Sequence, residues 1–236
     1  MISNTDFNKV YEFNKAFDFP QYDDFSNKKT LKLRLDLINE EITELFDAYQ
    51  DSDYVEILDA CADILYVAYG MAYTYKINSD DELKEYKTKE TLFKSIDIDV
   101  NSNDEKNITS YIFNIKKIYS ELETNSNNND KSWIKNLHDM IMEVYKLQKY
   151  MRYDSDKIFS IVHNSNMSKL CKSEEEAQLT VQKYEEEYKS GKSPYDSVYY
   201  YPLDSGLFVI KNKSSGKALK SINYTKVKLN LDDLVL

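Results

Sequence analysis

Apolar residues recur at helical spacing through the first 77 positions. Phe7, Val10, Tyr11, Phe13 and Phe17 fall on one face of a helix within residues 1–19, and Pro20 supplies its stop. Leu31, Leu35, Ile38, Ile42 and Leu45 predict an amphipathic helix over 30–50, with acidic residues on another face. QDSDY reads as a short turn. Residues 54–77 then make the most apolar helix of the chain, carrying Ile57, Leu58, Ile64, Leu65 and Val67, the pattern of a buried core helix. Residues 108–123 and 131–151 give two more helical segments, and 155–163 adds a turn or two leading into HNSNMSK. Residues 78–107, rich in Asp, Lys and Asn, and the low-complexity run TNSNNND at 124–130 read as exposed connections.

Beyond residue 171 the pattern changes. Ser173 is a helix N-cap followed by three acids in the first turn, and Gly191 is a plausible stop for that helix. Three short β-like runs follow, SVYYYPL, GLFVIKN and GKALKSI, with NKSSGK as a hairpin-turn signal between the last two. The expected fold is mainly α: a helical domain over 1–171, and a small α+β appendage over 172–236 made of one helix and a β-hairpin.

Composition narrows the chemistry. The chain has 236 residues, enough for one sizeable core, and only four Gly and three Pro, which favours long helices over turn-rich β folds. Its formal net charge of −10 disfavours binding to a nucleic-acid polymer. Cys61 and Cys171 match neither a metal-ligand spacing nor a disulfide framework. The N-terminal residues lack an apolar signal core, and the longest apolar run, 64–68, is far too short to span a membrane. These features predict a cytoplasmic protein without a membrane partner.

The informative chemistry lies in LRLDLINEEITELFDA and EILDACADILYVAYG. Glu41 and Glu44 sit on adjacent helical turns with Glu40 beside them; Asp59 and Asp63 share a face of the next helix, and Glu56 joins that stripe. Packed antiparallel, the two helices bring four to six carboxylates together. Such a cluster repels itself unless cations neutralise it. A lone ExxE is more often a solvated helix face. Here, however, Asp59 and Asp63 interrupt an apolar helix, where unpaired charge is costly. Mg²⁺, with Mn²⁺ as substitute, takes hard oxygen ligands and bridges to phosphates. The candidate metal ligands are Glu41, Glu44, Asp59 and Asp63, with Glu56 in reserve. Glu40 or Glu41 is the candidate to accept a proton from an attacking water.

EExxE followed by an acid-bearing core helix resembles the all-α NTP pyrophosphohydrolases, the group of MazG proteins, dimeric dUTPases and phosphoribosyl-ATP pyrophosphohydrolases. Their pattern is ExxE, a spacer, then ExxD. Glu41 and Glu44 supply the first half. Glu56 and Asp59 spell ExxD after a short spacer, whereas Asp63, before ILYVAYG, matches the family aspartate better by position. VHNSNMSKL at 162–170 and SGKALKSINY at 215–224 resemble a phosphoribosyl-ATP pyrophosphohydrolase-like subgroup, common in phages and bacteria, with an HxSNMSK signature. Asn14 stands where that subgroup usually has His. The resemblance implies hydrolysis of a nucleoside triphosphate between the α and β phosphates, giving a monophosphate and pyrophosphate and serving to sanitise or rebalance a nucleotide pool. It also implies a homodimer or homotetramer with the metal site inside the helical bundle, and allows a virus- or phage-encoded chain acting in host cytoplasm.

The same resemblance makes His163, Asn166, Ser168 and Lys169 candidates for substrate binding, together with Lys217, Lys220 and Tyr224. On spacing alone the Asn and Ser of HNSNMSK read as a loop or a helix cap rather than a binding site, and Lys217 and Lys220 equally suit outward positions on a strand. Arg34 reads as a partner for either acids or phosphate. His138 reads as a satisfied histidine. A non-catalytic nucleotide-binding protein of the same fold is the alternative, and hydrolysis of phosphoribosyl-ATP itself is a third reading.

Overall fold

The computed structural model describes residues 5–77 and 104–236. Most of the segment expected to be an exposed connection, 78–103, lies outside the described residues. Eight helices and a two-stranded sheet are described: α1 (Thr5–Ala16), α2 (Lys28–Gln50), α3 (Tyr54–Thr74), α4 (Asp104–Asn127), α5 (Trp133–Tyr150), α6 (Ser155–Met167), α7 (Glu174–Lys189), β1 (Val198–Pro202), β2 (Phe208–Asn212) and the single turn α8 (Leu231–Leu234). The described residues form two compact units, one of residues 5–11, 20–77, 104–160 and 229–236, the other of 12–19 and 161–228.

The first unit is an up-and-down bundle of α2, α3, α4 and α5. On α2, Leu31, Leu35, Ile38, Ile42, Leu45 and Ala48 are buried, the face that the spacing predicts. Each large apolar side chain buried this way is worth roughly 1.5–3 kcal/mol. All four bundle neighbours run antiparallel. Arg34 and Glu41 of α2 meet Gly70 and Asp63 of α3. On α4 and α2, Tyr119 donates to the Leu35 carbonyl at 3.2 Å while Phe113 packs on Phe46 at 6.4 Å. Asn125 and Asn114 of α4 bond Asn136 and Glu143 of α5, and Tyr69 of α3 and Tyr75 just past its end meet Tyr145 and Trp133 of α5. The start of α1 packs on α3 through Phe7–Tyr69 and Tyr11–Tyr73, and Tyr145 donates to the buried Asp6 at 2.8 Å. The C-terminal residues join the same unit: Leu234 is buried, its carbonyl accepts from Asp154 N–H at 2.8 Å, and Leu236 N–H donates to the Arg152 carbonyl at 2.9 Å.

Helix ends are closed with few glycines. At the end of α2, Ser52 takes a left-handed φ of 56°; its N–H reaches the Tyr49 carbonyl at 3.1 Å, and Asp53 N–H reaches the Ala48 carbonyl at 2.9 Å. This is a Schellman closure. The same pairing, centred on Lys76, Asn129 and Arg152, ends α3, α4 and α5. Asp53 then caps α3, its Oδ1 accepting from Val55 and Glu56 N–H, both at 3.1 Å. One three-residue link thus closes α2 and opens α3.

The second unit differs from expectation in detail. Helix α1, whose last residues belong to this unit, stops at Ala16, four residues before Pro20, because Asp18 at φ 50° makes the same closure onto Lys15 and Asn14. Ser173 caps α7 by accepting from Glu176 N–H at 3.1 Å, and Gly191 at φ 73° ends it, both as the sequence predicts. β1 and β2 form an antiparallel hairpin with Val198 opposite Asn212 and Pro202 opposite Phe208. The third β-like run, GKALKSI, is not a strand: it meets β2 at one bridge, Ala218 to Lys211. Cys171, Ala177, Ile210 and Leu219 make the core of this unit, with Val181, Tyr184 and Phe208 packed against it. The run at 124–130 is also corrected. α4 continues through Asn127, with Ser126 fully buried and Asn125 bonded to Asn136 at 2.8 Å, so tertiary contact overrides weak local propensity.

Candidate functional site

The seam between α2 and α3 gathers the carboxylates. The three-residue link and the antiparallel register put Glu40, Glu41 and Glu44 across from Asp63, Asp59 and Glu56. Asp59 and Asp63 are half-buried on α3, most of whose other residues are buried; Glu41 is half-buried, and Glu40, Glu44 and Glu56 are exposed. Burial pushes the Glu41 carboxyl up to about 8, helped by the charges of Asp63, Glu44, Glu40 and Asp59 in that order. Burial also raises Glu44, followed by repulsion from Glu40, Glu56 and Asp47. The Tyr66 phenol is raised by burial and by Asp63. The other four sequence-predicted carboxylates therefore act on Glu41, on Glu44 or on both.

Hard oxygen donors from two packed helices, repelling one another around a half-buried glutamate, suit a hard divalent cation. Among the described residues no three His, Cys, Asp or Glu side chains already stand in a metal-holding arrangement. The carboxylates share a field rather than a chelate, and glutamate side chains have the rotamer freedom to close onto an ion.

Arg34 lies two turns before Glu41 on α2, in the same seam. Its guanidinium rests against Gly70 of α3, and burial lowers its pKa against the opposing effect of the Tyr75 and Tyr73 phenols. Sequence reading passed over Gly70. Its signal was a glycine inside the helix-forming run YVAYGMAY, seven residues after Asp63.

The remaining predicted residues belong to the second unit. HNSNM is not a loop but the last turns of α6. Ser165 donates to the Thr225 carbonyl at 2.8 Å, and its hydroxyl lies 3.2 Å from that of Tyr224. Ser168 donates to the Ser165 carbonyl at 2.7 Å and accepts from Thr225 N–H at 2.9 Å. Lys169 donates to Asn166 Oδ1 at 2.6 Å and lies 5.6 Å from the Phe13 ring centre. Lys220 sits 4.3 Å over the Tyr224 ring, and Lys217 lies 5.7 Å from that of Tyr195. His163 is buried. Asn166, Ser168, Lys169, Lys220 and Tyr224 thus share one neighbourhood, whereas Lys217 is on a different ring. The bonds of Ser165 and Ser168 tie the end of α6 to the segment around 224–225. In the first unit, His138 is half-buried, with Asp139 Oδ1 3.7 Å from its Nδ1.

The chain belongs to the all-α, MazG-like pyrophosphohydrolase superfamily: the family model for phosphoribosyl-ATP pyrophosphohydrolase matches residues 10–90, the stretch that carries α2, α3 and all six acids. Over nearly its whole length it is similar to an uncharacterised protein of Acanthamoeba polyphaga mimivirus, 36% identical over 249 residues that cover 98% of this chain and 96% of that protein. No solved structure matches the chain. Among the described residues no helix is long and apolar enough to cross a membrane.

Proposed function

We propose that the protein hydrolyses a nucleoside or deoxynucleoside triphosphate between the α and β phosphates, with Mg²⁺ held by Glu41, Glu44, Asp59 and Asp63. The observation that carries this reading is the antiparallel seam of α2 and α3, which sets the half-buried Glu41 against the half-buried Asp59 and Asp63 with Glu40 and Glu44 beside it. A divalent ion there supplies charge neutralisation and Lewis acidity toward the phosphate oxygens. The chain's own groups do the rest. Glu41 would release its proton to solvent on holding the cation. Glu40, exposed beside Glu44, accepts the proton of the attacking water, whose oxygen bonds to the α phosphorus as the bond to the bridging oxygen breaks. Pyrophosphate and the monophosphate leave. His163, Asn166, Ser168, Lys169, Lys217, Lys220 and Tyr224 are proposed substrate-binding residues. A homodimer or homotetramer and Mn²⁺ as a substitute cofactor belong to the same reading.

The experiment is a panel of triphosphates incubated with Mg²⁺ and assayed for pyrophosphate. Wild type should release it, and Glu44→Ala and Asp63→Ala should each lower kcat/KM by about 100-fold or more, the scale of a lost metal ligand or outer partner. Nucleotide binding without any release by wild type favours the non-catalytic alternative. Undiminished release by both variants rejects the assigned ligands.

A further inference from the structure

Glycine inside a helix is unfavourable unless something needs the space. A Cβ added at Gly70 would stand 3.1 Å from Arg34 Nη1 and 3.9 Å from its Cζ, the atoms it meets among the described residues. The glycine makes room for one side chain rather than for close approach of two backbones. Register fixes what that side chain faces. Arg34 and Gly70 are each seven residues from Glu41 and Asp63, so the guanidinium lies in the carboxylate seam about 10 Å along it. An arginine fork carries donors matched to phosphate oxygens, and partial burial strengthens such a bond.

We propose that Gly70 is a positioning residue that seats Arg34 to take the terminal phosphate of a triphosphate whose reacting end lies at the Glu41–Asp63 carboxylates. This rests on the function proposed above. It gives the seam two poles, acids for the cation and a guanidinium for the phosphate tail, and makes triphosphates better substrates than diphosphates.

The test uses Gly70→Ala, Arg34→Lys and Arg34→Gln in the full chain, with inorganic pyrophosphate as a probe that needs no turnover. Gly70→Ala is expected to melt no lower than wild type, since alanine favours the helix and the crowded atom is the end of a flexible side chain. Its affinity for pyrophosphate by calorimetry should nevertheless fall about tenfold, as should that of Arg34→Gln, the scale of one charge-assisted hydrogen bond. KM for a triphosphate should rise by a similar factor with a smaller change in kcat, and Arg34→Lys should lose less than Arg34→Gln. Unchanged pyrophosphate affinity in a well-folded Gly70→Ala overturns the inference, as does a lowered melting point with proportionate loss of everything. If wild type turns over no triphosphate, the proposed function falls instead, and the calorimetric arm still decides whether Arg34 is an anion site.

Discussion

Glu41 is where sequence, packing and chemistry meet in one side chain. Its folded carboxyl is raised from the ordinary 4.5 to about 8, chiefly by burial. Between those values the folded chain holds a proton that the unfolded chain has released. The stability this group contributes is fully present below about 4.5 and is lost as pH rises through 8. The metal-free protein should therefore melt at progressively lower temperature from pH 5 to pH 8. Glu41→Gln should flatten that slope, which thermal melts in chelator will read; a slope that survives the substitution contradicts the assignment to Glu41. The acids themselves were legible because carboxylates inside an apolar helix are rarely idle. Gly70 was not, because its meaning depends on a side chain 36 positions earlier in the chain.

Among the elements, the α2–α3 link carries the most consequence, because it sets which carboxylates face each other. Ser52 pays the steric cost of a left-handed backbone without being glycine. Ser52→Gly should stabilise the protein by about 0.5–1 kcal/mol, and Asp53→Ala, which removes the cap of α3, should cost about 1 kcal/mol; chemical denaturation of the two variants measures both. Strong periodicity made α2 and α3 readable, together with Ser173 and Gly191 at the ends of α7. The reading weakened where local propensity was overruled. TNSN looks like a break, yet it is helical because Ser126 is buried and Asn125 reaches Asn136. GKALKSI alternates like a strand, yet it contributes a single bridge to β2 and leaves the sheet at two strands.

Taken as a whole molecule, the chain interleaves its two compact units: residues 12–19 belong with 161–228, and residues 229–236 return to the helical bundle. A division by composition runs along the chain and does not register such returns. Leu234, almost fully buried in the first unit, anchors the last segment there. Leu234→Ala should destabilise that unit by about 2–4 kcal/mol, read as a lowered melting transition. The fold class and the cluster of acids were accessible from pattern alone, since both follow from helical periodicity. Which candidate contacts share a neighbourhood was not, because Lys217 and Lys220 sit on different rings, and that of Lys217 belongs to Tyr195, 22 positions earlier.

The carboxylates of α2 and α3 are proposed to share a divalent cation. Titration of Mn²⁺ into the protein, followed by electron paramagnetic resonance of the free ion, tests that most directly. Wild type should take up Mn²⁺ in competition with Mg²⁺, and Glu41→Gln and Asp63→Asn, both folded by circular dichroism, should each lose that uptake. Equal binding by all three proteins, or none by wild type at pH 8, contradicts it.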